Sequence, residues 1–281
     1  MQLFHTRCSI PHHGAEAPNA LGSYLVMSTC PICDGIGLVR VRSAAGLWVS
    51  RACECQEHER YERRLAAAHI PERYRHCALE SYETAFKGAN PTLANALFQA
   101  RNFVEAYPVN TGGNGLIFVG SAGLGKTHLA VGLLQRMVQE RVVKGLFCDY
   151  RQLIKSIQDS FNPQVNATEL GILRPLFAAE VLVLDDLGAQ KPREWVWDTV
   201  ALLLNTRYND KLTTIITTNY TFKLAGMGYK ADGEGTRPMR GEDTLGDRIG
   251  DRMLSRLAEM CVRVEMAGED FRQTVKQARF G

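Results

Sequence analysis

Gly120-Ser121-Ala122-Gly123-Leu124-Gly125-Lys126-Thr127 is the stretch that decides the fold. It fits G-x-x-x-x-G-K-[ST], the phosphate-binding P-loop pattern. An apolar run, Leu116-Ile117-Phe118-Val119, leads into it, and a helix-period run from His128 to Met137 leads out. Strand, loop and helix in that order are the context the pattern requires. Glycines at 120, 123 and 125 let the backbone curl so that its N–H groups face an anion. A helix starting near Lys126 adds the positive end of its dipole. On this reading Gly120 to Thr127, with His128 just inside the helix, cradle a nucleoside triphosphate. Lys126 reaches the β- and γ-phosphates, and the Thr127 hydroxyl ligates Mg²⁺.

A second run, Val181-Leu182-Val183-Leu184-Asp185-Asp186-Leu187-Gly188, has four apolar residues ending in paired carboxylates. That describes a buried strand whose carboxyl edge presents charge beside the P-loop, the Walker B pattern. Asp185 would hold Mg²⁺ directly or through water, and Asp186 would orient the attacking water. Leu212 to Asn219 is a β-branched strand ending in asparagine, placed to touch that water or the γ-phosphate. Such a strand beside Walker B marks the additional-strand P-loop ATPases. Gly145 to Tyr150 and Cys261 to Met266 read as further strands. Helices are expected over Thr92–Ala106, Arg151–Ser160 and Trp195–Asn209, the last with Val196, Val200, Leu203 and Leu204 as its buried stripe. The whole predicts an α/β fold, a parallel sheet with helices on both faces and ATP at its carboxyl edge. Too little chain follows the last strand for a helical lid.

At 281 residues the chain has room for one large domain and a smaller appendage. Its 45% hydrophobic and 22% charged residues are ordinary for a soluble protein, and a net charge of +3 leaves any nucleic-acid site to be local. No apolar run approaches the roughly 18 residues that span a membrane, and no signal-peptide succession opens the chain. A cytoplasmic location and reduced thiols are expected for its eight cysteines. Four of them, Cys30, Cys33, Cys53 and Cys55, form C-x-x-C and C-x-C pairs flanking two β-prone runs, Leu38–Ser43 and Leu47–Arg51. A hairpin there would bring four thiolates together as a closed, structural zinc site, with His58 as a substitute for one of the second pair. Unligated or redox cysteines are the alternative, though no thioredoxin-like βαβ pattern surrounds the C-x-x-C. Cys77, Cys148 and Cys261 read as core thiols. His5, His12 and His13 sit in a leader without a clear period. The expected division is residues 1–68, cysteine-rich, and 69–281, the ATPase.

Phe222 to Asp243, rich in glycine and including Lys223, Lys230, Arg237 and Arg240, reads as a mobile loop, either a linker or a DNA-facing segment. Arg248, Arg252 and Arg256 recur every fourth residue, which on one helix makes a stripe. That stripe serves solubility or supplies the finger that completes a neighbour's site.

In combination, Gly123-Leu124-Gly125-Lys126-Thr127-His128-Leu129, Leu184-Asp185-Asp186-Leu187-Gly188, Thr217-Thr218-Asn219 and Ser255-Arg256-Leu257 resemble the bacterial and phage helicase-loader family of AAA+ ATPases (DnaC- and DnaI-like), with the IstB transposition ATPases as close cousins. Ile70-Pro71-Glu72-Arg73-Tyr74 and the cysteine-rich module are similar to that family too. The resemblance implies a loader that holds a replicative DnaB-type hexameric helicase through its N-terminal module. It implies self-association through the ATP sites and placement of the helicase on single-stranded DNA. Arg256 matches the family's finger, with Arg252 as companion, and Arg272 falls where a second sensor arginine is expected. Single-strand contacts of the family fall on Ser160, Phe161, Arg193 and Trp195, with a core role for Trp195 as the alternative. The cousin reading is an IstB-like helper of a DNA transposase; those helpers usually begin with a helical DNA-binding segment rather than a cysteine module.

Overall fold

Strands need apolar residues on both faces where helices cover both sides of a sheet, and the apolar runs of the sequence meet that demand. The computed structural model describes residues 30–162, 164–165, 167–190, 193–228, 230–231, 238–239 and 243–275. The leader histidines and, within Phe222–Asp243, residues 229, 232–237 and 240–242, with Arg237 and Arg240 among them, lie outside the described residues. By contacts the chain divides into Met1–Gln56 and Glu57–Gly281.

In the first unit, β1 (Leu38–Arg42) and β2 (Trp48–Ala52) pair as an antiparallel hairpin, Leu38 opposite Ala52 and Arg42 opposite Trp48. Helix α1 (Glu54–Ala67) begins in this unit, and from Glu57 onward it belongs to the second.

The second unit continues with α2 (Pro91–Ala106), β3 (Gly115–Val119), α3 (Lys126–Glu140), β4 (Gly145–Asp149), α4 (Tyr150–Ser160), α5 (Glu169–Ala178), β5 (Val181–Asp185), α6 (Glu194–Asn209) and β6 (Thr213–Thr218). A two-residue pair, β7 (Lys230–Ala231) with β8 (Pro238–Met239), precedes α7 (Leu245–Ile249), α8 (Asp251–Met260), β9 (Cys261–Glu265) and α9 (Phe271–Thr274). Local chemistry sets several starts. Asn90 caps α2 with Pro91 at its first position, Asp149 caps α4, and Thr244 with Asp247 forms a capping box on α7.

Five strands form one parallel sheet in the order β4-β5-β6-β3-β9. Strand β6 separates β5 from β3, which is the additional strand expected from the sequence. Strands β3, β5 and β6 are buried at every position. One core cluster packs α2 and α3 on one face of the sheet; the other packs α4, α5, α6, α7 and α8 on the opposite face. The α6 stripe Val196, Val200, Leu203 and Leu204 is buried as expected. Arg207 on the same helix is fully buried, donating to the carbonyls of Leu176, Ala179 and Thr213 and to Thr214 Oγ1. Among the described residues no helical bundle follows β9, and no helix is long and apolar enough to cross a membrane.

The arginine stripe is corrected. Gly250, at φ 83° and ψ 147°, ends α7 and begins α8, so Arg248 does not share a helix with Arg252 and Arg256. That backbone angle suits glycine and breaks the period. Arg248 instead lies over the Tyr220 ring at 4.5 Å and pairs with Asp243 at 2.8 Å.

Candidate functional site

Strand β3 ends at the P-loop, and α3 begins at Lys126 with Gly125 in the left-handed region as its cap. Around this turn lies a cleft of about 850 Å³ lined by the loop and by the carboxyl ends of β4, β5 and β6. Gly120 N–H donates to Thr218 O, tying the loop to β6. Gly123 has φ 83°, and a Cβ there would sit 1.9 Å from Asp270 Oδ1. Only glycine fits, because the chain after β9 returns across the loop, where Phe271 N–H donates to Gly123 O. Ser121 and Ala122 are exposed at the mouth, while Leu124 is buried beneath.

Lys126 is buried and donates to Ser121 O at 2.6 Å and to Asn219 Oδ1 at 2.7 Å. Burial pushes its amine down to about 8, against the opposing pull of Asp186 and Asp185. Asp185 is also buried, and desolvation raises its carboxyl; the hydroxyls of Thr217 and Thr127 work the other way, both donating to Oδ1, at 2.6 and 2.8 Å. A buried carboxylate touching the P-loop hydroxyl is a hard-oxygen pair suited to Mg²⁺. Asp186 adopts φ 59°, and its N–H donates to Thr217 Oγ1. That turn bends the chain over the tip of β6 and points the carboxylate at the cleft. Asn219 Nδ2 donates to Asp186 Oδ1 at 2.6 Å, and Arg151 pairs with Oδ2 at 3.0 Å. Lys126, Thr127, Asp185, Asp186 and Asn219 are thus in one hydrogen-bonded group.

The other expected residues divide. His128 Nε2 lies 2.8 Å from Ala78 O and 3.2 Å from Ser81 Oγ, so its ring holds the 78–82 segment beside the loop. Arg272 lines the cleft and is exposed. Arg252 is exposed on α8, while Arg256 lies 6.0 Å from the Tyr208 ring centroid. Phe161, exposed at the end of α4, meets Trp195 edge-on at 5.3 Å. Trp195 also packs on the core, as the alternative reading of it expects. Arg193 is exposed at the α6 cap position, and Ser160 Oγ donates to Ile157 O.

Thr217, Arg151 and Asp270 were missed. Thr217 belongs to a β-branched run whose length hides which hydroxyl faces the cleft. Arg151 and Asp270 reach the site only through tertiary placement.

In the first unit the four sulfurs of Cys30, Cys33, Cys53 and Cys55 all lie within 4.8 Å of one another, and His58 is not among them. Sulfurs 2.3 Å from a tetrahedral metal stand about 3.8 Å apart; the separations Cys30–Cys53 and Cys33–Cys55 are 3.8 and 3.5 Å. Gly37 N–H donates to Cys33 Sγ at 3.2 Å. The backbone N–H groups of Ile32 and Cys33 hold the Cys30 thiol down, to about 7. The hydrogen bond from Cys53 and burial push the Cys55 thiol up to about 12, and that of Cys53 is raised as well, so the crowded sulfurs do not favour four thiolates without a cation among them. The tight C-x-C works because Cys53 precedes α1 and Cys55 falls in its first turn.

The family of IstB-like ATP binding proteins matches residues 43–279, which takes in the whole cleft and begins after the first cysteine pair. The chain is 26% identical over 192 residues to the replicative helicase loader DnaC of Buchnera aphidicola subsp. Baizongia pistaciae, covering 68% of this chain and 69% of that protein. It is 26% identical over 128 residues to the replicative helicase loader DnaI of Bacillus subtilis, covering 45% and 40%. Among solved structures, that of a DnaC helicase loader superposes with a TM-score of 0.55 at 29% identity, covering 70% of this chain and 100% of that one. The match runs over far more than half of the chain and over every residue of the phosphate cleft, so this chain belongs to the IstB-like ATP binding protein family and is a DnaC/DnaI-like AAA+ protein.

Proposed function

We propose that this protein is an ATP-dependent loader that binds a replicative DnaB-type hexameric helicase and sets it on single-stranded DNA at the start of replication. The observation that carries the reading is the closed group Lys126–Asn219–Asp186 beside Thr127–Asp185–Thr217, in a chain whose curated relatives include DnaC and DnaI loaders. Lys126 and the loop N–H groups bind the triphosphate, and Asp186 and Asn219 orient water in line with the γ-phosphate. Bound Mg²⁺, held by Thr127 and Asp185, supplies charge neutralisation at the phosphates. Hydrolysis is slow and accelerated by single-stranded DNA. Phe161 and Trp195 offer bases a stacking platform, with Arg193 and Ser160 toward the phosphates. Arg256 and Arg252 reach a neighbouring copy's ATP site, and Arg272 contacts nucleotide in its own. The four cysteines hold structural zinc in the helicase-binding unit.

The transposase-helper reading shares this core, and no feature of the site favours it over the loader. Co-purification with a DnaB-type helicase tests the choice, using the intact chain and a variant with Cys30, Cys33, Cys53 and Cys55 all changed to Ser. The loader reading expects capture by the intact chain and loss by the variant. Failure of the intact chain to capture helicase sinks it.

A further inference from the structure

Between Asp34 and Glu54 the chain carries three arginines, Arg40, Arg42 and Arg51, and no carboxylate. In a chain of 33 basic and 30 acidic residues that run is a local excess of positive charge. The hairpin register sorts it by face. Residues opposite one another share a face, and successive residues alternate. Arg42 is opposite Trp48 and Arg40 opposite Ser50 on one face, while Val41 and Val49 share the other. All four residues of the first face are exposed. Arg42 lies over the Trp48 ring at 5.3 Å, a cation–π contact that steadies the indole while 64% of the residue stays open to solvent. Among the described residues no carboxylate pairs with Arg40 or Arg42.

We propose that this face of the hairpin is a docking surface for single-stranded DNA, with a base stacked on Trp48 and neighbouring phosphates on Arg40 and Arg42. It is a second strand contact, on different residues from Phe161 and Trp195, and the choice of DNA over RNA rests on the loader reading. The charge pattern selects the occupant. A protein-docking patch has an apolar centre inside a polar rim; here cations stand beside the aromatic ring with no acid among them, which complements a polyanion. The two-residue repeat of a strand sets Arg40 and Arg42 about 6.8 Å apart along β1, close to the step between phosphates of an extended strand. Ser50, opposite Arg40, adds a neutral donor for a phosphate oxygen. A duplex hides the faces of its bases, so the exposed indole selects an unpaired strand.

Fluorescence anisotropy of labelled oligothymidylate, titrated with the full chain over a series of salt concentrations, tests the face. Changing Arg40 and Arg42 together to Gln is expected to weaken binding about fivefold or more. It should also lower the slope of log affinity against log salt by about 1.4, or 0.7 for each lost phosphate contact. Trp48→Ala is expected to weaken binding about fivefold or more with the slope unchanged. Arg40→Lys with Arg42→Lys brings back the slope, as a phosphate contact requires and a purely structural role of the arginines does not. Affinity and slope equal to those of the starting protein, in both the Gln pair and Trp48→Ala, overturn the proposal; the loader reading stands if Phe161→Ala still weakens binding. Unchanged oligonucleotide binding with lost capture of a DnaB-type helicase by the same variants also overturns it and gives the face to a protein. Tighter binding of oligouridylate than of oligothymidylate overturns the assignment to DNA. If the intact chain binds no oligothymidylate, the proposal falls together with the DNA part of the loader reading, and helicase capture judges the rest.

Discussion

Around the P-loop, Lys126, Asp185 and Asp186 are each tied to the carboxyl end of the buried strand β6, through Asn219 or Thr217, whereas the β1–β2 hairpin buries none of its residues. Leu47 and Trp48 are 68% and 64% exposed, and the buried side chains of the described part of that unit are those of Cys33 and Cys53. The cleft can therefore be held by apolar packing, while the hairpin has no apolar core of its own and, on the zinc reading proposed above, would be held by its four cysteines on one ion. Catalytic geometry here is a property of the sheet; the hairpin's geometry is a property of its cysteines.

Metal removal should break this contrast most visibly. Chelation of the purified protein is expected to release one zinc per chain and abolish the hairpin's protection from hydrogen exchange, with ATP affinity unchanged. Simultaneous loss of ATP binding would mean that the cleft leans on the cysteine unit. Next comes Arg207→Ala, which leaves three buried carbonyls without their donor and a hole beside β6. Denaturant unfolding of the ATPase unit should show a loss of about 3 kcal/mol or more, with no change at the hairpin. Lys126→Ala should weaken ATP binding by about a hundredfold or more, some 2.7 kcal/mol, in a calorimetric titration. Its melting temperature should barely move, because the removed charge was already poorly solvated.

The smallest effect is one of pH. With Lys126 depressed to about 8, the free protein carries a neutral amine above that value and must take up a proton to meet the triphosphate. ATP affinity should be flat near pH 7 and fall by up to about tenfold per unit above about pH 8. Affinity that holds steady to about pH 9 would show that the lysine is charged throughout.

Much of the cleft was legible because its signals are local. Apolar runs of four or five residues ended in the polar groups that reached the site: Thr127 after β3 and its loop, Asp185 and Asp186 on β5, Asn219 after β6. The cysteine pairs were legible for the same reason, each short enough to form a turn around its own sulfurs. Three features were not. Arg248 kept the arginine period, but the left-handed Gly250 between the helices cannot be told from a tolerated helical glycine by spacing. His128 follows the loop in sequence, yet its ring is claimed by Ala78, fifty residues away. Arg151 and Asp270 meet Asp186 and Gly123 only after the sheet has stacked β4 beside β5 and β9 beside β3.

Deposition of helicase on circular single-stranded DNA tests the central claim most directly, by counting DNA-bound helicase with ATP in the presence of the intact chain or of Lys126→Ala. The account predicts that the intact chain raises the bound helicase well above the level with helicase alone and that Lys126→Ala does not. Equal deposition with and without the intact chain would contradict it.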